Sequence, residues 1–222
     1  MTIALYSVSG APSPWRVQIG LTFKGLAFDL TTLSAQKQEH KSPEFLKLNP
    51  RGTVPVLIDG DTQLTDSIGI LGWLDRAYPD RPLFGATPSQ SAVIWQRVMS
   101  IAEFLPPAVS GVLRPLFFGG ETEATDALRE AAQALTDELA IPESYLSEGA
   151  FLAGANPTAA DAVMFPHIRL LVRGTQTHAA TMEALGLGDL PALFPNLAAW
   201  VNRVEALPNV AATFPPHWQD AT

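Results

Sequence analysis

The chain has 222 residues, 47% hydrophobic and 16% charged, with a net charge of -8; that length buries one large core or two modest ones, and disorder is excluded as its general state. Lysines and arginines are scattered singly along an acidic chain, which argues against nucleic acid or an anionic membrane as the main partner. The absence of cysteine removes disulfides, thiolate metal ligands, a nucleophilic thiolate and any dithiol redox cycle, so thiol chemistry here must use a thiol carried in by a ligand.

His40, His167, His178 and His217 show no metal-ligand spacing, and no metal site is expected. The apolar runs are read as falling short of the roughly 18 residues of a membrane span, and the N-terminus lacks a signal-like flank. The expected location is the cytoplasm.

Ile3, Leu5 and Val8 give residues 2–8 the pattern of a short strand, followed by the turn Ser9-Gly10-Ala11-Pro12-Ser13-Pro14. A helix is predicted from Pro14 or Trp15 to the Lys24-Gly25 stop. A second strand follows over 27–33, then a short helix at Ser42-Pro43-Glu44-Phe45-Leu46. Leu48-Asn49-Pro50-Arg51-Gly52-Thr53-Val54-Pro55-Val56-Leu57 leads into a strand over 54–59, paired with 62–64 across Asp59-Gly60-Asp61. Pro55 cannot donate to a sheet ladder and belongs at an edge, a bulge or a cis bond. Asp66-Ser67 then opens a helix over 66–78, with Ile70, Leu71 and Leu74 on one face; its N-terminal N–H groups suit a small acidic ligand.

That order is a thioredoxin-like α/β domain over residues 1–79. Pro79-Asp80-Arg81-Pro82-Leu83-Phe84-Gly85 begins a linker that ends near Thr87, giving a linker at 80–87 and a second domain at 88–222. There, Val93-Gln96-Arg97-Ser100-Ile101-Phe104, Leu128-Ala131-Ala132-Leu135-Leu139 and Leu197-Trp200-Val201-Val204 follow helical spacing, so the second domain is predicted all-α. Pro106-Pro107 should end or kink the first of these helices, and 111–120 and 174–191 read as irregular. Thr158 three residues before Asp161, at the head of an apolar run, is a capping-box arrangement.

Residues 49–57 and 66–71 together resemble a cytosolic glutathione transferase, and the likeness extends over nearly the whole chain through the Asn156–Asp161 box and the closing Phe194-Pro195-Asn196-Leu197 segment. The resemblance implies glutathione as co-substrate and addition of its thiolate to a hydrophobic electrophile. It also implies a homodimer. Two other readings remain: a glutathione- or hydrophobe-binding protein without useful turnover, and a zeta-like isomerase suggested by Trp15-Arg16-Val17, against which stands the missing Ser-Ser-Cys run.

By the same resemblance, Val54 and Pro55 present main chain to the cysteinyl part of glutathione, Asp66 and Ser67 take its γ-glutamyl end, and Lys41 pairs with its glycyl carboxylate. Thr53 stands where many members carry Lys or Gln. For thiol activation the turn offers Ser13 and then Ser9, with backbone N–H groups as a third possibility, because the usual serine of zeta- and theta-like members falls on Ala11. Ser13 is equally explained as a helix N-cap, and Lys41 as a solvated charge. The electrophile pocket is expected between the domains, lined by Trp15, Phe104, Leu105, Val109, Leu113 and Arg114, for each of which core packing is as good an explanation.

Overall fold

The computed structural model describes residues 2–219; Met1 and residues 220–222, the outer ends of the two predicted domains, lie outside them. The chain divides into two compact units, one bounded by Met1–Thr87 and Glu205–Thr222, the other by Pro88–Val204.

In the first unit β1 (Ile3–Ser7), α1 (Pro12–Lys24), β2 (Phe28–Thr32), α2 (Pro43–Leu48), β3 (Val56–Asp59), β4 (Thr62–Leu64) and α3 (Ser67–Ala77) follow in order. The sheet runs β2-β1-β3-β4, with β1 parallel to β2 and the other pairs antiparallel, as a thioredoxin-like unit requires. Alternate residues of β1 point to opposite faces. Ile3 and Leu5 thereby join Val17 and Leu21 of α1, Leu57 of β3 and Ile70 and Leu74 of α3 in one buried cluster. Close approach of α1 to α3 depends on Gly20, where a Cβ would lie 2.2 Å from Leu71 Cδ2. Lys24 closes α1 by donating from Nζ to the carbonyls of Asp80 and Arg81 at 2.9 and 3.1 Å.

Two element starts differ from expectation by two residues. Helix α1 begins at Pro12, not Pro14, because proline at the first helical position gives up an N–H that has no helical partner there. Strand β3 begins at Val56, since Val54 and Pro55 lie outside the ladder.

The second unit is built from α4 (Pro88–Phe118), α5 (Asp126–Glu148), α6 (Ala159–Thr177), α7 (Ala179–Ala184), α8 (Leu190–Leu193) and α9 (Pro195–Glu205), with α4 packed on both α5 and α6. No strand is assigned in it among the described residues. Neither Pro106-Pro107 nor the segment from Gly111 interrupts α4, which holds three prolines. Each removes a hydrogen bond, but Leu105, Val109, Val112, Leu113 and Leu116 keep burying one face, and tertiary packing outweighs the local cost. The expected irregularity at 174–191 holds over 185–189, between α7 and α8, and otherwise gives way to the end of α6, to α7 and to the start of α8.

Helix α4 corrects one further expectation. It contains an 18-residue stretch of mean hydropathy 1.2, long and apolar enough by composition to cross a membrane, of which 33% is buried in the chain.

The Asp161 carboxylate organises the start of α6. Thr158 N–H and hydroxyl donate to Oδ2 at 2.8 and 2.9 Å, and Leu152 N–H to Oδ1 at 2.9 Å. Glu143 plays a similar part for α9, accepting from the N–H groups of Asn196 and Leu197 at 2.9 and 2.8 Å.

Candidate functional site

Three segments of the first unit carry the residues expected to bind the peptide ligand and activate its thiol. At the head of α3, Asp66 is the N-cap, and its Oδ1 accepts from Ile68 and Gly69 N–H at 3.0 and 2.8 Å. Two first-turn donors are therefore already used by the cap. Ser67, the first residue of α3, is buried where Asp66 is exposed, and its N–H and hydroxyl are not among the donors to Asp66 Oδ1. A donor pair next to a carboxylate oxygen suits a zwitterionic α-amino-acid head: its carboxylate on Ser67, its ammonium on Asp66. Asp66 also acts on Arg16 of α1, whose guanidinium burial lowers to about 10 while the attraction of Asp66 opposes the shift.

The second segment is the loop into β3. Its Val54–Pro55 peptide bond is cis. Buried Asn49 fixes its shape, donating from Nδ2 to the Thr53 carbonyl at 2.6 Å and hydroxyl at 3.0 Å while Oδ1 accepts from Arg51 N–H at 3.1 Å. Gly52 has φ 57°, and a Cβ there would meet the His40 carbonyl at 2.8 Å, so the turn excludes side chains on both counts. Lys41 lies against this turn with Nζ donating to the Arg51 carbonyl at 3.1 Å. Thr53 is exposed, with its carbonyl and hydroxyl both engaged by Asn49. The Tyr6–Val56 pair is the last of the ladder on this side, so the Val54 main chain, just outside it, is not engaged by β1.

The turn after β1 is the third segment. Ala11 is the N-cap residue of α1 and provides no side-chain cap. Ser13 is thus the second helical residue, and the N-cap explanation for it is set aside. Pro12 and Pro14 have no N–H, so within the first three helical positions only Ser13 offers a backbone donor, in addition to its half-buried hydroxyl. Ser9 is exposed, and its Oγ lies 3.2 Å from His217 Nδ1.

The six residues expected around an electrophile are divided between the two units. Trp15 is buried in the first unit, with Nε1 donating to Thr213 Oγ1 at 2.8 Å. On α4, Leu105, Val109 and Leu113 recur every four residues on the buried face, and Leu113 presses on Gly174 of α6, where a Cβ would stand 2.5 Å from Leu113 Cδ2. Phe104, 52% exposed, and Arg114 point outward instead. Among the described residues no group of three or more His, Asp or Glu side chains is placed to hold a metal.

Sequence reasoning missed Asn49 as the brace of the loop, Arg16 as the buried cation near Asp66, and the C-terminal residues Thr213 and His217. The Asn-Pro-Arg-Gly turn signalled Asn49, because asparagine side chains commonly bond the backbone two residues on. Nothing local signalled His217, which is 208 residues from Ser9.

Residues 11–77 match the family description "Glutathione S-transferase, N-terminal domain", and residues 115–203 match "Glutathione S-transferase, C-terminal domain". The chain is 30% identical over 219 residues to glutathione S-transferase A of Pleuronectes platessa, covering 96% of this chain and 91% of that one. It is 35% identical over 124 residues to a zeta class glutathione S-transferase of Euphorbia esula, covering 56% and 54%. Among solved structures, a glutathione S-transferase from the Antarctic clam Laternula elliptica superposes with a TM-score of 0.83 at 31% identity, covering 99% of this chain and 95% of that one.

Proposed function

The chain belongs to the glutathione S-transferase family, and from that premise we propose that it binds glutathione in its N-terminal unit and adds the glutathione thiolate to a hydrophobic electrophile. The observation that carries this reading is the start of α3, where Ser67 offers donors beside a carboxylate oxygen of Asp66. The γ-glutamyl end of glutathione is an α-amino acid, and this pairing suits both of its charges. The Val54 main chain then pairs with the cysteinyl unit as an added strand, next to Pro55 and outside the ladder. Lys41, at the 50–53 turn, reaches the glycyl carboxylate.

Such a peptide runs alongside the first turn, where its sulfur meets the donors of Ser13, with Ser9 as a second hydroxyl. A donated hydrogen bond favours the charged sulfur and lowers the thiol pKa, which is what turns a bound thiol into a nucleophile near neutral pH. Phe104 and Arg114, exposed on α4, are the residues of the second unit proposed to be open to an electrophile, while buried Trp15 anchors the first turn. Leu105, Val109 and Leu113 support α4 from its buried side.

The protein is proposed to work in the cytoplasm as an isologous homodimer. Exposed Trp95 and Met99, one turn apart on α4 and 37% and 51% exposed, supply apolar surface for such a contact.

Calorimetric titration with glutathione, beside initial rates with an aryl halide, tests the reading. Heat of binding with turnover is expected. No heat at millimolar glutathione would remove the proposal. Binding without turnover would favour a binding protein, a reading that Ala11 at the N-cap, without a hydroxyl, supports. Isomerisation of an activated cis double bond without net consumption of glutathione would place the protein with zeta-like isomerases instead.

A further inference from the structure

The C-terminal residues belong to the first unit and close over its first turn. Trp15 Nε1 donates to Thr213 Oγ1 at 2.8 Å, and that hydroxyl donates on to the Val210 carbonyl at 2.7 Å. The Trp15 ring also meets Phe214 and Trp218 edge-on, each with centroids 5.3 Å apart. Anchored in this way, the segment brings His217 Nδ1 to 3.2 Å from Ser9 Oγ. Gly10, with φ 79°, faces the same ring, and a Cβ there would stand 3.4 Å from His217 Cε1. Ser9 also lines a cavity of about 120 Å³, together with Ser7, Gln18, Thr32 and Phe214 among others.

Serine carries one hydroxyl proton and rotates to suit its partners. If Ser9 donates to Nδ1, that proton is turned away from any ligand. If Nδ1–H donates to Ser9 Oγ, the hydroxyl proton is released for another acceptor and is polarised by the bond it receives. An anionic sulfur beside the turn selects the second arrangement.

We propose that His217 is a positioning residue for thiol activation: its Nδ1–H holds Ser9 so that the Ser9 hydroxyl donates to the bound glutathione thiolate, as a second hydrogen bond beside that from Ser13. This rests on the glutathione reading above. The C-terminal segment then contributes to the chemistry through Ser9 without touching the sulfur, and the Trp15–Thr213 bond becomes part of the same device.

The test compares the parent with His217→Ala, His217→Asn, Ser9→Ala, the His217→Ala/Ser9→Ala double variant and Thr213→Val. Readouts are the ultraviolet thiolate absorbance of the glutathione complex against pH, kcat and KM, and urea midpoints as a check on folding. His217→Ala is expected to raise the apparent thiol pKa and lower kcat about fivefold, with KM for glutathione within about twofold of the parent. His217→Asn, whose Nδ2 can donate in place of Nδ1–H, should recover most of the loss, and the double variant should match Ser9→Ala. Thr213→Val, which loosens the anchor and leaves both partners intact, should reproduce part of the loss. A His217→Ala protein with parental thiolate absorbance and kcat would overturn the inference while leaving glutathione binding in place. So would additive effects in the double variant, no recovery with asparagine, or a change confined to KM. A parent that gives no heat with glutathione would overturn the functional reading and this inference with it.

Discussion

The Trp200 indole N–H donates to Asp161 Oδ1 at 2.8 Å, joining the start of α6 to α9 through a carboxylate that is completely buried. With the donors from Thr158 and Leu152, both carboxylate oxygens are satisfied twice. Asp161→Ala would strand two buried N–H groups, an indole N–H and a hydroxyl, and a cost of about 3 to 5 kcal/mol is expected. Trp200→Phe removes one donor and leaves the others, so about 1 to 2 kcal/mol is expected. Urea unfolding measures both, and glutathione affinity of the folded fraction should be unchanged because this box lies in the second unit. Equal midpoints for Asp161→Ala and the parent would show that the network contributes nothing.

The same carboxyl has a pH signature. Burial pushes Asp161 above the usual carboxylate range, against the four hydrogen bonds that pull it down. A carboxyl whose folded pKa lies above its unfolded value keeps its proton longer in the fold. Its titration therefore contributes stability that is present in acid and is lost as pH rises through the folded pKa. The stability of the parent relative to Asp161→Asn should accordingly be greatest at pH below the ordinary carboxylate range of about 4 and shrink as pH rises through the folded pKa. A difference that grows with pH would mean that the hydrogen bonds, not burial, decide the shift.

Much of this was legible in the sequence wherever the signal was local. The order of strands and helices through α3 followed from alternation, Gly-Pro punctuation and the Asp66 cap, and the Thr158–Asp161 spacing announced its own box. The failures share a physical cause. Pro106 and Pro107 argued locally for a break in α4, yet the apolar stripe from Leu105 to Leu116 holds the helix through them. The closing of the C-terminal segment over Trp15 depends on a contact between residues almost 200 positions apart, and no periodicity encodes it.

Asp66 holds two roles that substitution can separate. Its Oδ1 caps α3, and its charge is proposed to meet the ammonium group of glutathione. Asparagine caps a helix as well as aspartate does, so Asp66→Asn should keep the urea midpoint near that of the parent and weaken glutathione binding by about 1 to 3 kcal/mol. Asp66→Ala should lose both, with a further cost to stability of about 1 kcal/mol. If calorimetry gives Asp66→Asn the affinity of the parent, the carboxylate has no part in binding and Ser67 alone takes the amino-acid head.

Ser13 is the residue on which the proposed chemistry turns. Pro12 and Pro14 deprive the α1 start of backbone donors on either side of it, so a thiolate approaching this helix finds only the Ser13 N–H and hydroxyl in the first three positions. Ser13→Ala removes the hydroxyl and keeps the N–H. The thiol pKa of the glutathione complex should rise and turnover fall about tenfold, one decade corresponding to about 1.36 kcal/mol. Ser13→Pro, at a position with helical φ, would also remove the N–H and leave this end of α1 with no donor at all. Its loss should exceed that of alanine if the backbone shares the work. Ultraviolet thiolate absorbance against pH, recorded beside initial rates with a generic electrophile, measures both. If Ser13→Ala retains the pKa and rate of the parent while Ser13→Pro does not, the backbone N–H is the activating donor; if both retain them, activation passes to Ser9 and the helix start is only structural.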